Sequence, residues 1–284
     1  MGAATAWALA RAGHDVVLLE QFEIGHDRGS SHGRSRIFRL SYRDPGYVRM
    51  AQRALTMWRE LEREAGEEVL RTKGGLDLGP DSDRHAETLE ECGVPFERLD
   101  SAEVKRRFPA IAVTPGTTAV YQPDAGIVLA DRAVDAFVHR ASALGAEVRE
   151  RTRVTALEVS ADGVDVRTED EVFRSRVAAV TAGAWARGLL AGARIDLPVR
   201  PTRETVAYFR ADGQVPSVVE WTRPAVYGLA DPEYGIKSGE HHAGSDTDPD
   251  MEEGPDLASV ERLSAWIRER FPAADPTPVE TETC

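Results

Sequence analysis

Residues 1–20, MGAATAWALARAGHDVVLLE, read as a helix, a turn and a strand. Ala3 to Ala12 is a run of small, good helix formers. Gly13 suits a C-cap, because glycine takes the left-handed turn without a Cβ clash. Val16, Val17, Leu18 and Leu19 make the unbroken apolar run of a parallel strand buried on both faces. Glu20 closes that strand with an acid, the position that takes ribose hydroxyls in dinucleotide-binding folds. Gly2 lies 18 residues before it, where the last glycine of G-x-G-x-x-G lets helix and strand pack closely. The first strand and the first two glycines of that fingerprint are expected upstream of Met1, so the chain reads as starting inside a nucleotide-binding domain. A helix this poor in charge is expected to be buried between layers. Half a fingerprint also fits an ordinary α/β unit that binds no nucleotide.

The composition bounds the rest. A chain of 284 residues holds one large domain or two ordinary ones. Its 35 basic and 48 acidic residues leave a net charge of −13, which argues against general affinity for nucleic acid or an anionic membrane. Cys92 and Cys284 are the only cysteines, so neither a disulfide framework nor a Cys-rich metal site is implied. No run approaches the ~18 apolar residues of a membrane span. The first helix lacks the basic flank of a signal peptide. These features read as a soluble, cytoplasmic protein.

Residues 21–33 form a polar loop rich in Gly and Ser, and RSRIFR (34–39) follows, basic and partly extended. A helix over 45–64 presents Val48, Ala51, Leu55, Trp58 and Leu61 at helical spacing. Residues 70–78 read as one strand with a Gly-Gly bend. Helices follow at 84–92 and 101–108, then a strand at 118–121 and a turn at 122–126. Asp131 to Leu144 is an amphipathic helix capped by Gly145 and followed by a short strand, 147–150. Strands at 153–159, 163–168 and 171–175 are split by the turn at Asp162-Gly163. Arg176 to Ala182 reads as an apolar strand that runs into Gly183-Ala-Trp185 and a helix ending near Ala191. Strands are expected at 204–210, 216–221, 225–229 and 234–239, a helix at 256–270, and an approach to a further strand at Cys284. The alternation suggests two interleaved domains, the second antiparallel.

The segments GSSHGRSRIFRLSY (29–42), TKGGLDLGP (72–80), YQPDAGIVLA (121–130), TRV (152–154), VTAGAW (180–185), YGIKSGEHH (234–242) and the terminal Cys occur in the order of one family. The chain resembles, from end to end, the flavoprotein amine oxidases of monomeric sarcosine oxidase and N-methyltryptophan oxidase. The resemblance implies an α/β plus α+β fold, with a glutathione-reductase-like FAD-binding domain (1–70 and 125–203) interleaved with an antiparallel-sheet substrate domain (71–124 and 204–284). It implies a monomeric enzyme that oxidises a secondary or N-methyl amino acid with O2 and releases H2O2. It implies no metal, nucleic acid or membrane partner.

Residue by residue, the same resemblance nominates a site. Lys237 matches the lysine near flavin N5 that activates oxygen; by its own sequence context it would be a lysine on the polar face of an edge strand. His241 matches an active-site histidine. On a strand, His241 and His242 are expected on opposite faces. Tyr227 matches a pocket tyrosine, although a strand tyrosine more often carries its hydroxyl to the surface. His32 and Arg36 correspond to residues against the flavin, and Arg39 to one that grips the substrate carboxylate, a task suited to the planar guanidinium fork. Arg28, Arg34, Arg36 and Arg39 are expected to form a positive patch in an acidic protein. Gly2, Glu20, Ser30, Ser31, Val154 and Gly183 are the expected FAD contacts. Cys284, 12 residues after Pro272, takes the place of the cysteine that forms a thioether to the flavin. Cys92 reads as structural. The family's segment beyond Cys284 supplies a closing strand and helix and a second cation, so the chain reads as truncated at both ends. Two rivals remain: a glycine or D-amino-acid oxidase-like enzyme acting on primary amines, and an inactive fragment of such an oxidase.

Overall fold

The computed structural model describes residues 1–211 and 215–284. In chain order the elements are α1 (Gly2–Arg11), β1 (Val17–Leu19), β2 (Arg36–Phe38), α2 (Pro45–Ala65), β3 (Leu70–Thr72), β4 (Gly75–Leu78), α3 (Ser82–Glu91), β5 (Glu97–Leu99), α4 (Ser101–Arg107), β6 (Ala119–Gln122), β7 (Gly126–Val128), α5 (Ala130–Ala143), β8 (Glu147–Arg149), β9 (Ala156–Val159), β10 (Val164–Arg167), β11 (Val172–Ser175), α6 (Ala186–Gly192), β12 (Thr202–Arg203), β13 (Thr205–Arg210), β14 (Ser217–Glu220), β15 (Ala225–Asp231), β16 (Gly235–His241), β17 (Ser245–Asp246), α7 (Leu257–Arg270) and β18 (Pro278–Thr283). They form two compact units. The first holds Met1–His32, Asp131–Pro201 and Asp246–Glu252; the second holds Gly33–Ala130, Thr202–Ser245 and Glu253–Cys284. Residues 33–70, read from the sequence with the nucleotide-binding part, lie in the second unit.

In the first unit β1 pairs in parallel with β8. Gly2 sits at the start of α1, and a Cβ there would lie 2.9 Å from Thr181 Oγ1 and 3.4 Å from Leu18 Cδ1. A side chain there would have to displace the Thr181 hydroxyl, so glycine keeps the approach open. Helix α1 buries one face, through Ala6, Trp7 and Ala10, and Trp7 packs on Phe137 of α5. Two expectations are corrected. The helix is not buried all round, since Leu9 is exposed, and β1 is not buried on both faces, since Val17 is exposed. Strands β9, β10 and β11 form an antiparallel meander. The segment 176–182, read as a strand, is none: it is apolar, but no ladder reaches it among the described residues, and Val177 lies exposed. A strand requires a pairing partner as well as an apolar sequence.

In the second unit an eight-stranded sheet runs in the order β18-β13-β16-β15-β14-β4-β6-β5. All its pairings are antiparallel except β14 with β4. A smaller sheet, β2-β7-β3, sits in the same unit. The expected 70–78 strand divides between the two sheets, because Gly74 turns at φ 86°. The last residues are themselves a strand, β18, rather than an approach to one.

Local chemistry explains the helices. The Asp44 carboxylate caps α2 by accepting from Gly46 N at 2.6 Å, Pro45 opens the first turn, and Gly66 ends it in the left-handed conformation. Asp100 and Glu103 form a capping box on α4. Asp256 caps α7. Helix α7 covers one face of the large sheet: Leu263, Trp266, Ile267 and Phe271 pack with Leu76, Ala207, Phe209, Val218 and Ile236. The period-two alternation of strands then sends the intervening residues to the other face.

Candidate active site on the far face of the large sheet

The face turned away from α7 carries the chemistry. On β16 it presents Lys237, Gly239 and His241. Cross-strand pairing sets Tyr208 of β13 and Leu229 of β15 beside Lys237, and Tyr227 beside Gly239. The same alternation brings Glu282 of β18 opposite Val206 and extends to Cys284, whose backbone exchanges hydrogen bonds with Glu204 at 2.9 and 3.0 Å.

Lys237 is 2 % exposed. Its context suggested an edge strand, yet β16 is central, flanked by β13 and β15. The ammonium donates to Ser35 O at 3.5 Å and lies 5.4 Å from the Tyr208 ring centroid. Burial, and then the Arg36 charge, lower its pKa to about 8, against the opposing pull of Glu282, Cys284 and Asp231. Gly33 turns past it at φ 109°, and a Cβ there would lie 3.3 Å from Nζ. Tyr208 donates to Glu282 Oε2 at 2.6 Å.

Tyr227 does not carry its hydroxyl to the surface. A side chain at Gly239 would meet that oxygen at 2.4 Å, so glycine there makes room for the ring. Burial raises the phenol pKa well above its ordinary value. His241 lies at the solvent-open end of β16. Partial burial of its ring, then His242 and Arg39, lower its pKa. His241 and His242 do not diverge: their ring centroids are 3.9 Å apart, because His242 leaves the strand with φ 56°.

The expected patch of four arginines is not an uncompensated one. Arg28 pairs with Glu252 at 2.5 Å. Arg34 pairs with Asp231, Glu233 and Glu280 at 3.3, 3.4 and 2.7 Å, between the rings of Tyr208 and Tyr234. Arg36 is close enough to Lys237 and Tyr227 to bias the ionisation of both. Arg39 holds its guanidinium against the rings of Tyr42 and Trp221, at 4.5 and 4.9 Å from their centroids, and disfavours protonation of His241.

In the first unit, Glu20 accepts from Phe22 N at 3.0 Å, and its Oε1 is 3.6 Å from His26 Nε2. Ser30 and Ser31 are exposed, His32 and Val154 half-buried. Gly183 opens a short 3₁₀ turn at φ 51°, with nothing within 4 Å of its Cβ position, so conformation and not crowding accounts for it. Cys92 is a free thiol with Sγ 3.7 Å from Pro45 O. Among the described residues no cluster of three or more His, Cys, Asp or Glu could hold a metal, and no helix is long and apolar enough to cross a membrane. The sequence reading missed Tyr208, Glu282, Asp77 and Trp221. The alternation of TVAYFR (205–210) would have put Tyr208 on the face of a neighbouring lysine, but only the strand order identifies that neighbour.

Three comparisons place this geometry among known proteins. The family model described as FAD dependent oxidoreductase matches residues 1–284. Human peroxisomal sarcosine oxidase is 31% identical, over 100% of this chain and 77% of its own length. Monomeric sarcosine oxidase of Bacillus sp. (strain B-0618) is also 31% identical, over 97% of this chain and 75% of its own. The structure of NikD, an amino acid oxidase essential for nikkomycin biosynthesis, superposes with a TM-score of 0.87 at 26% identity, over 99% of this chain and 78% of that one.

Proposed function

The chain belongs to the FAD dependent oxidoreductase family, and on that premise we propose that it oxidises the secondary amine of an N-methyl or similarly substituted amino acid with O2, releasing H2O2. The observation that carries the proposal is the buried Lys237 cation on a central strand, on the sheet face that also bears His241, Tyr227 and Cys284.

The residues fit the cofactor. Gly2 admits close helix–strand packing beside an acid-ended parallel strand, as a dinucleotide-binding unit needs. Ser35 has a fully buried hydroxyl without a hydrogen-bond partner among the described residues, next to the carbonyl that Lys237 reaches. A buried orphan of this kind suits a polar ligand edge. Gly2 and Glu20 would hold the nucleotide end, with Ser30, Ser31, Val154 and Gly183 as further contacts. His32 is a further candidate contact of the first unit; in the second unit, Arg36, Lys237 and Cys284 would face the ring system, Cys284 as its covalent anchor. FAD, when bound, accepts two electrons from the amine's carbon–hydrogen bond and passes them to O2.

The protein's own groups do the rest. Arg39 binds the substrate carboxylate through its planar edge. Tyr227 walls the pocket with a ring whose hydroxyl stays protonated. His241, kept neutral by its surroundings, can accept a hydrogen bond from the substrate amine without adding a second cation. Lys237, with a pKa of about 8, is mostly charged at pH 7, and a fixed buried cation stabilises negative charge developing on oxygen. The imine product leaves and is hydrolysed in water. A monomeric, cytoplasmic enzyme is proposed with this reading.

The test is H2O2 release with sarcosine, larger N-methyl amino acids, glycine and D-amino acids. Turnover of secondary amines well above primary ones supports the proposal. Turnover of primary amines alone assigns the chain to the glycine or D-amino-acid oxidase class. No turnover by flavin-loaded protein removes the proposal.

A further inference from the structure

Beside Arg39 the second unit contains a buried polar ring that the reaction scheme does not use. Asp77 is 1 % exposed, on the same sheet face as Lys237, and Gln122 is equally buried. Trp221 donates its indole N–H to Asp77 Oδ1 at 2.9 Å, and Gln122 Nε2 donates to Asp77 Oδ2 at 2.6 Å. Gln122 Oε1 accepts from the backbone N–H of Leu40 at 2.9 Å. Leu40 follows Arg39, whose guanidinium stacks on Trp221. The circuit Arg39–Leu40–Gln122–Asp77–Trp221 therefore closes on itself. Tyr42 is a second ring against the guanidinium, with its centroid 4.5 Å from Cζ, Nη1 donates to Ser41 O at 2.9 Å, and His85 backs the indole at 4.6 Å between centroids.

We propose that Asp77 and Trp221 are positioning residues that fix the direction of the Arg39 guanidinium for a substrate carboxylate. The proposal rests on the assignment of Arg39 to that carboxylate. An arginine on a flexible stem loses rotamer freedom when it grips a ligand, and pre-ordering removes that penalty. With two rings held against its charge centre and Nη1 committed to Ser41, the guanidinium keeps its other N–H groups for a planar anion. The indole supplies one of those rings, and Asp77 holds the indole through its only donor. A buried polar side chain that needs two donors, Trp221 and Gln122, to satisfy it is costly to keep, so a packing role alone would be better served by an apolar residue. A carboxylate here gains its use by fixing Trp221 and Gln122 at once.

The experiment uses flavin-loaded protein and benzoate as the carboxylate probe. Binding is read by the change in flavin absorbance and by the rise in melting temperature. Steady-state constants for an N-methyl amino acid are compared with those for its carboxamide. Trp221→Leu should weaken benzoate and raise KM for the acid roughly tenfold, the scale of one unordered long side chain, while kcat moves far less and the amide is unaffected. Trp221→Phe keeps the ring and loses the donor, and Asp77→Asn keeps an acceptor for the indole but turns an N–H2 toward Gln122. Both should fold and show part of the same loss. Adding Trp221→Leu to Arg39→Met should cause no further loss of benzoate binding. If Arg39→Met weakens benzoate and all three ring variants bind it like the parent, positioning is wrong and the carboxylate assignment stands. If Arg39→Met itself leaves benzoate binding unchanged, both fall. Equal losses for acid and amide would reduce the ring to a structural role and overturn the proposal.

Discussion

Lys237→Met separates what the buried ammonium does for catalysis from what it does to stability. The ammonium is held at a pKa of about 8 against an ordinary 10.5. At ~1.36 kcal/mol per pH unit, that disfavours the charged folded state by roughly 3 kcal/mol. The sign follows from proton uptake. Above pH 10.5 the amine is neutral in both states and there is no penalty. As pH falls from 10.5 to about 8, the unfolded chain takes up the proton first and stability drops; below about 8 the full penalty persists. Methionine removes the charge at similar volume but leaves the Ser35 carbonyl without its donor, which returns about 1 kcal/mol. The variant should therefore be more stable than the parent by about 2 kcal/mol at pH 7, a melting point roughly 3 °C higher. Its advantage should shrink from pH 8 upward and be gone above 10.5. Urea unfolding of both proteins at matched flavin content across that range measures it. In the same variant, reoxidation of reduced flavin by O2 should slow far more than reduction by substrate. A Lys237→Met protein less stable than the parent at pH 7, or one with a pH-independent difference, would refute the reasoning.

Other substitutions probe the frame around the site. Gly126→Ala would set a Cβ 1.9 Å from Arg71 O in the β7–β3 ladder and should destabilise by about 3 kcal/mol or more, seen as a lower urea midpoint. Arg270→Met strips Glu220 of two hydrogen bonds at 2.8 and 2.9 Å and the Ala112 carbonyl of its donor. A loss of about 3 kcal/mol is expected, partly restored by adding Glu220→Gln. His85, buried and held below its ordinary pKa by desolvation first, with Arg39 and Arg43 adding to it against the opposing pull of Asp77 and Asp81, makes the unfolded chain the better proton acceptor. Stability should fall as pH drops below about 6.5, and His85→Leu should flatten that slope in melting experiments.

Features written in neighbouring residues were legible before the fold was known. The helix starts at 45, 101 and 256 are read from residue pattern, and the structure supplies their caps, Asp44, Asp100 with Glu103, and Asp256, because capping is local chemistry. The family resemblance, carried by the order of short motifs, agrees with a family match spanning the whole chain. What depended on sheet order was not legible. Lys237 looked like an edge-strand lysine because YGIKSG does not say that β13 and β15 flank it. Arg28 and Arg34 looked like part of a positive patch because their acidic partners, Glu252 for the first and Asp231 and Glu280 for the second, lie some two hundred residues away. Segment 176–182 had the composition of a strand and no ladder partner among the described residues. Strand β18 was faint because PVETET (278–283) offers a single apolar side chain besides proline, and its place follows from pairing with β13. Asp77 and Trp221 carried no signal at all, since their meaning lies in a ring closed across 144 positions.

Anaerobic mixing with sarcosine and with larger N-methyl amino acids, followed by O2, tests the central claim most directly. The account predicts that the oxidised-flavin absorbance of the purified protein bleaches with at least one of these amines and returns on exposure to O2 with formation of H2O2. It also predicts that the colour stays with the acid-precipitated pellet and moves to the supernatant in Cys284→Ser. A flavin that stays oxidised with every secondary amine would contradict the account.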